Sequence, residues 1–284
     1  MTCPPASSID SVFNIDRMRF TREQLEAMAQ SVPVWFHSID FGQGVVTNGL
    51  ISPSQQADQV QSFRFPDLRG KTVLDINALD GFFSFEAERR GASRVVALDH
   101  YMWAMDLARH YHYWVECKER GVVPSAYHTM PYYLPKVMPG KIGFDTAKKA
   151  LQSDVEPVVG DFMEMDIERL GTSDVVLYFG SLYHMENPLE AMRRVAAVTK
   201  DVALIETEAA VFADLPDHAL VEFFESNELN GDVSNWWAPN EKALLGLCRA
   251  AGFRRVESMV KPPLPRAGET PGVVRYRAVA HAWK

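Results

Sequence analysis

The stretch KTVLDINALDGFFSFEAERRGASRVVALD, residues 71–99, constrains the fold more than any other part of the chain. One apolar run ends at Asp75, and a second, Val95 to Leu98, ends at Asp99. Between them lie a turn and a helical segment, Phe82 to Arg90. Two short apolar runs joined through a helix form a βαβ unit, the connection that parallel strands require. The turn, Asp75-Ile76-Asn77-Ala78-Leu79-Asp80-Gly81, carries a single glycine where nucleotide-binding turns are glycine-rich.

The same alternation continues downstream. Val155 to Val159, Val175 to Phe179 and Val202 to Glu206 read as strands, and Pro188 to Val198 and Asn240 to Ala251 as helices, the latter closed by Gly252. Arg254 to Val260 and Val273 to Ala282 are the last strand candidates, the second alternating as an antiparallel edge hairpin would. This predicts a mostly parallel, doubly wound, Rossmann-like α/β sheet. Upstream, Thr21 to Ser31 reads as a helix with Thr21 at its N-cap and Pro33 beyond its end. Val34 to Gly44 is an aromatic segment running into a glycine turn.

Residues 1–62 are expected to form an N-terminal extension that helps cover the site, and 63–284 the α/β domain. Tyr101 to Arg120 has helical character, whereas Pro and Gly interrupt residues 121–144. About fifty residues separate the second and third strands, more than a normal connection needs. An inserted cap over about 100–154, carrying acceptor contacts, is expected. The alternative is a surface elaboration for subunit contacts, which leaves a homo-oligomer open.

The composition, 47% hydrophobic and 23% charged over 284 residues, suits a soluble protein with a substantial core. A net charge of -8 gives no basic footprint for nucleic acid. Cys3, Cys117 and Cys248 are widely spaced, so neither a disulfide framework nor a zinc knuckle is expected. The start lacks the pattern of a signal peptide and no apolar run approaches a membrane span. These features point to a cytoplasmic protein without a membrane partner.

In a doubly wound sheet, ligands lie over the carboxyl ends of the strands. Asp75, Asp99 and Asp161 follow three successive strands at that end. An acid after the second strand suits a ribose diol, and Asp161-Phe162 offers an acceptor for an adenine amine beside an aromatic face. The turn does not match GxGxxG, and Asp80 would project negative charge towards a pyrophosphate, so a dinucleotide is disfavoured.

The segments VLDI, DGFFSFEAERRGASRVVALD, GDF and YFGSLYHMENPLEAMRRV resemble class I S-adenosylmethionine (SAM) methyltransferases. The subgroup they resemble contains the tRNA wobble-uridine enzyme and its small-molecule relatives, and WFHSIDFGQGVVTNG and NWWAPN fit it too. The resemblance implies a seven-stranded sheet with its last strand antiparallel. It also implies glycine at Asn77 and often at Leu79, with Gly81 retained; Asn is the best substitute for glycine in a left-handed turn. The implied cofactor contacts are Asp75, Asn77, Gly81, Asp99, His100, Asp161 and Phe162, with Phe179, Tyr183 and Trp35 from the flanking motifs. Residues 37–61 contain no Lys or Arg to hold a carboxylated cofactor, so ordinary SAM is expected.

Methyl transfer to a hydroxyl needs positioned reactants and gains from a general base. His184 is the first candidate base, with His37 and Glu206 behind it. Tyr101, Trp103, Asn235, Trp236 and Trp237 are the candidate acceptor contacts, since aromatic faces with polar tips suit a small polar ligand. The expected reaction is O-methylation of a sugar or sugar acid, with a glucosylglycerate-type acceptor suggested by resemblance alone. Two alternatives stand beside it: an RNA-base methyltransferase, and a degenerate fold without turnover. A magnesium ion is left open, because no DxD-type cluster locates one.

Overall fold

The computed structural model describes residues 20–263 and 273–284; Cys3 lies outside them. Seven strands form the main sheet: β1 (Thr72–Ile76), β2 (Arg94–Asp99), β3 (Glu156–Val159), β4 (Ser173–Phe179), β5 (Thr199–Phe212), β6 (Arg255–Ser258) and β7 (Val273–Trp283). Their order is β3-β2-β1-β4-β5-β7-β6, with β1 to β5 parallel and β7 antiparallel to both its neighbours. β7 is therefore interior, and β6 takes the edge that the sequence pattern assigned to the last strand. Every residue of β4 is buried, as expected of a central strand covered on both faces.

Seven helices flank the sheets among the described residues: α1 (Arg22–Ser31), α2 (Pro53–Phe63), α3 (Phe82–Arg89), α4 (Leu107–Arg120), α5 (Ile142–Leu151), α6 (Pro188–Val198) and α7 (Glu241–Ala250). Period-two alternation divides β4 between two cores. Val175, Leu177 and Phe179 face the layer that contains Phe85 of α3 and Phe144 of α5. Val176 and Tyr178 face Met192 of α6 and Leu244 of α7.

The amino end of α1 carries a capping box in which Thr21 and Gln24 satisfy each other's backbone amides. Ser52 and Gln55 repeat the device at α2, with Pro53 in the first turn. The segment between these helices, including Trp35, Phe41 and Val45, packs into the same core as α5. α5 itself belongs to the sheet: Phe144 and Ala147 are fully buried beneath it. Within residues 100–154, α5 is thus part of the layer against the sheet, and α4 begins at Leu107 with Asp106 as N-cap rather than at Tyr101. No helix among the described residues is long and apolar enough to cross a membrane.

Candidate cofactor and acceptor site

The loop after β1 follows a glycine's path with few glycines. Asn77, Leu79 and Gly81 are all left-handed, with φ of 63°, 54° and 85°. For leucine this conformation costs roughly 1–2 kcal/mol. Leu79 is held there from both sides: its amide donates to Asp99 Oδ2 at 2.8 Å, and its carbonyl accepts from Trp103 Nε1 at 2.6 Å. Gly81 has a second reason to be glycine, because a Cβ there would lie 2.6 Å from the Phe144 ring.

The strand-end acids have different surroundings. Asp75 accepts from Ser84 Oγ at 2.6 Å, and burial, opposed by that hydroxyl and by His37, pushes its pKa up to about 7. Asp99 is 1% exposed and accepts from the amides of Leu79 and Met102. Burial pushes it up to about 6, with the surrounding amides acting the other way. Asp161 is less enclosed and accepts from the Met163 amide at 2.8 Å. Next to Asp99, His100 Nδ1 is buried with no partner.

SAM can be tested against these residues. The left-handed turn brings backbone close to the space above β1, and the orphaned His100 nitrogen suits a nucleoside hydroxyl. Asp99 keeps unused lone pairs, but both its oxygens already hold backbone amides and the carboxylate is sealed. The loop and His100 therefore fit the cofactor. Asp99 can reach a ribose only if the Leu79 amide gives way.

Asp80 does not point into the cleft. Its carboxylate accepts from the amides of Phe36 (3.2 Å) and His37 (2.8 Å) and from His37 Nδ1 (2.6 Å). A carboxylate only accepts, so Nδ1 carries the proton and Nε2 is the free nitrogen of His37. The His37 ring stacks on Phe82 at 5.2 Å. Breaking this buried pair should cost about 3–5 kcal/mol.

His184 lies in the turn after β4. Its Nδ1 sits 2.9 Å from Ser234 O and 3.0 Å from Ser234 Oγ, while Ser234 Oγ donates to Asp232 Oδ1 at 2.7 Å. The carbonyl fixes the proton on Nδ1 and leaves Nε2 as an acceptor; burial lowers the ring's pKa. Glu206, in contrast, is consumed by structure. It pairs in a bidentate manner with Arg277 and accepts from the Gly180 amide at 2.9 Å. Arg277 also reaches Glu208 and lies 4.8 Å from the Tyr183 ring centroid. This removes Glu206 from the candidate bases.

Four of the predicted aromatic contacts are core residues. Trp103 is fully buried against Phe144 and holds the Leu79 carbonyl. Trp35 is 3% exposed and donates to Ala29 O. Phe179 stacks on Phe63 at 4.2 Å, and Phe162 is packed under Arg194 against Tyr178. Each ring is closed off by its own packing, as large apolar side chains in a core usually are. Tyr101, Trp236 and Trp237 remain partly exposed. The Trp236 amide donates to Tyr183 O and Trp237 Nε1 to Met185 O, which tie this segment to the His184 turn. Asn235 is 2% exposed and holds Leu229 O.

The sequence reading missed Asp232 and Ser234, which position His184. Their signal was the Asp-Val-Ser run immediately before Asn235-Trp236. Among the described residues, no three His, Cys, Asp or Glu side chains converge as a metal site.

A comparison with family models finds no match, and neither does one with curated proteins. Solved structures do match. The N-terminal domain of EvdMO1, in the presence of SAH and D-fucose, aligns with a TM-score of 0.55 at 16% identity, covering 93% of this chain and 97% of that one. The same domain with SAH bound aligns equally well, with a TM-score of 0.55 at 16% identity. Sheet order and alignment agree: this chain has the fold of the SAM-dependent methyltransferases.

Proposed function

We propose that the protein is a SAM-dependent methyltransferase that methylates a hydroxyl of a small polar acceptor, a sugar or sugar acid. The observation that carries this reading is the loop at Asn77, Leu79 and Gly81, which is left-handed at all three positions although only Gly81 is a glycine. The N-terminal domain of EvdMO1, which shares this fold, was crystallised in the presence of SAH and D-fucose, which favours a sugar-type acceptor here.

When bound, the cofactor supplies an electrophilic methyl group. Asn77, His100 and Asp161 would hold it, with Asp75 and Gly81 shaping the loop beneath. His184 presents Nε2 to take the acceptor's hydroxyl proton, because Ser234 occupies its other nitrogen. His37 is a second base candidate, oriented by Asp80. The sealed Asp99 favours a second reading, a fold that has lost turnover.

Calorimetric titration with S-adenosylhomocysteine, with NAD as control, tests the proposal. Saturable binding of the former alone is expected. If neither binds, the cofactor assignment is wrong and the degenerate fold stands in its place.

A further inference from the structure

A cluster of buried polar atoms without partners lies between the insertion and the loop that carries Asp232. Tyr127 OH, Tyr132 OH and Asn235 Oδ1 belong to residues only 3%, 4% and 2% exposed, and His110 Nδ1 is a fourth such atom. The His110 ring lies 4.4 Å from that of Tyr127 and 5.8 Å from that of Tyr132. Val233 packs among these tyrosines and Tyr101, which brings its neighbour Asp232 to the same place. Burial and, after it, the Asp232 charge push Tyr101 and Tyr127 upward. Asp232 Oδ1 holds the amide and hydroxyl of Ser234, and the Tyr127 hydroxyl approaches the Asp232 carboxylate without meeting hydrogen-bond geometry.

Buried polar groups are rarely left unpaired, and several together at one place call for a ligand or ordered water. We propose that His110, Tyr127, Tyr132, Asp232 and Asn235 recognise the acceptor and select a neutral, hydroxyl-rich sugar over a sugar acid. This rests on the methyltransferase reading for its purpose, though the binding preference does not depend on it.

The phenols need acceptors as well as donors, whereas Asp232 Oδ2 and Asn235 Oδ1 only accept. An ammonium ligand would satisfy the second kind alone; hydroxyl groups, each donor and acceptor, satisfy both.

Among the described residues, no Lys or Arg hydrogen-bonds or stacks onto any of these five. The cation beside the His184 turn, Arg277, is already paired with Glu206 and Glu208. A carboxylated sugar would thus meet Asp232 with nothing to neutralise it, and like charge in a partly desolvated site disfavours binding.

The test is titration with methyl β-D-glucopyranoside and with D-glucuronate, with and without saturating S-adenosylhomocysteine. The neutral sugar should bind at least about tenfold tighter than the uronate. Asp232→Asn should close that gap, and Tyr127→Phe should weaken the neutral sugar severalfold, both without changing S-adenosylhomocysteine affinity. Equal or tighter binding of glucuronate overturns the inference, as does failure of both sugars to bind. Loss of the preference in neither variant also overturns it. A sugar preference without S-adenosylhomocysteine binding upholds this site and removes the cofactor reading instead.

Discussion

The backbone amide of Leu79 donates to Asp99 Oδ2 at 2.8 Å, so the residue standing in a glycine's place also occupies the acid at the end of β2. One substitution therefore bears on two functions of the loop. Leu79→Gly removes left-handed strain of roughly 1–2 kcal/mol but adds unfolded-chain entropy of about 0.5–1 kcal/mol. Net stability in urea should rise by no more than about 1.5 kcal/mol. Affinity for S-adenosylhomocysteine should rise severalfold, because a glycine loop can release Asp99 more easily. A fall in affinity would mean that the leucine side chain itself supports the cofactor.

His184 makes a prediction about pH. Burial lowers its pKa below the ordinary 6.5, so the base form persists into mildly acid solution. Turnover should be level between about pH 7 and 8 and decline only below the ordinary histidine range. His184→Ala should reduce kcat by about 10²–10⁴ while S-adenosylhomocysteine still binds. A wild-type rate in that variant would transfer the role to His37.

Asp75 predicts a stability effect of definite sign. Its folded pKa, about 7, lies above the usual 3.8, so the folded protein binds the extra proton between those values. Stability from this group is present at low pH and lost as pH rises towards 7. Asp75→Asn should therefore stabilise the protein by about 2–4 kcal/mol at pH 8 and hardly at all at pH 4. Urea unfolding of both proteins at the two pH values measures this. An equal effect at both would mean that the carboxyl does not titrate as its burial requires.

Glu206→Gln separates structure from catalysis. Glu206 is buried but Arg277 is partly exposed, so the loss should be nearer 1–3 kcal/mol than the full cost of a sealed pair. Thermal unfolding should shift down, whereas kcat below the new transition should stay within about tenfold. A kcat loss of 10³ or more with unchanged stability would restore Glu206 as a base.

Local signals survived into the structure where chemistry and geometry share a residue. Thr21 and Gln24 cap α1, Pro188 starts α6, and Asn240 caps α7, because capping is decided within one helical turn. The βαβ unit and the three strand-end acids were legible for the same reason. Partners distant in sequence were not. Asp80 reaches 43 residues back to His37, and Arg277 reaches 71 back to Glu206. Trp35, Trp103 and Phe179 looked like ligand contacts because an aromatic reads alike whether its face meets a ligand or another side chain. α5 was hidden by the Pro and Gly immediately before it. The interior place of β7 depends on pairing with both β5 and β6, which no alternation pattern reveals.

The long strand β5 has an evolutionary consequence. Its 14 residues span about 46 Å, with the sheet at one end and Phe212 paired to Val273 at the other. The chain from 213 to 237 hangs from that far end and carries Asp232, Ser234 and Asn235. It is clipped at its return by Val221–Phe223 against Trp237–Pro239, and by Glu222 to Arg275 of β7. Such a cassette can be exchanged between homologues without reopening the loop at Asn77. Divergence in substrate should accumulate there first, and chimeras cut at 212 and 238 are the natural unit for transplanting it.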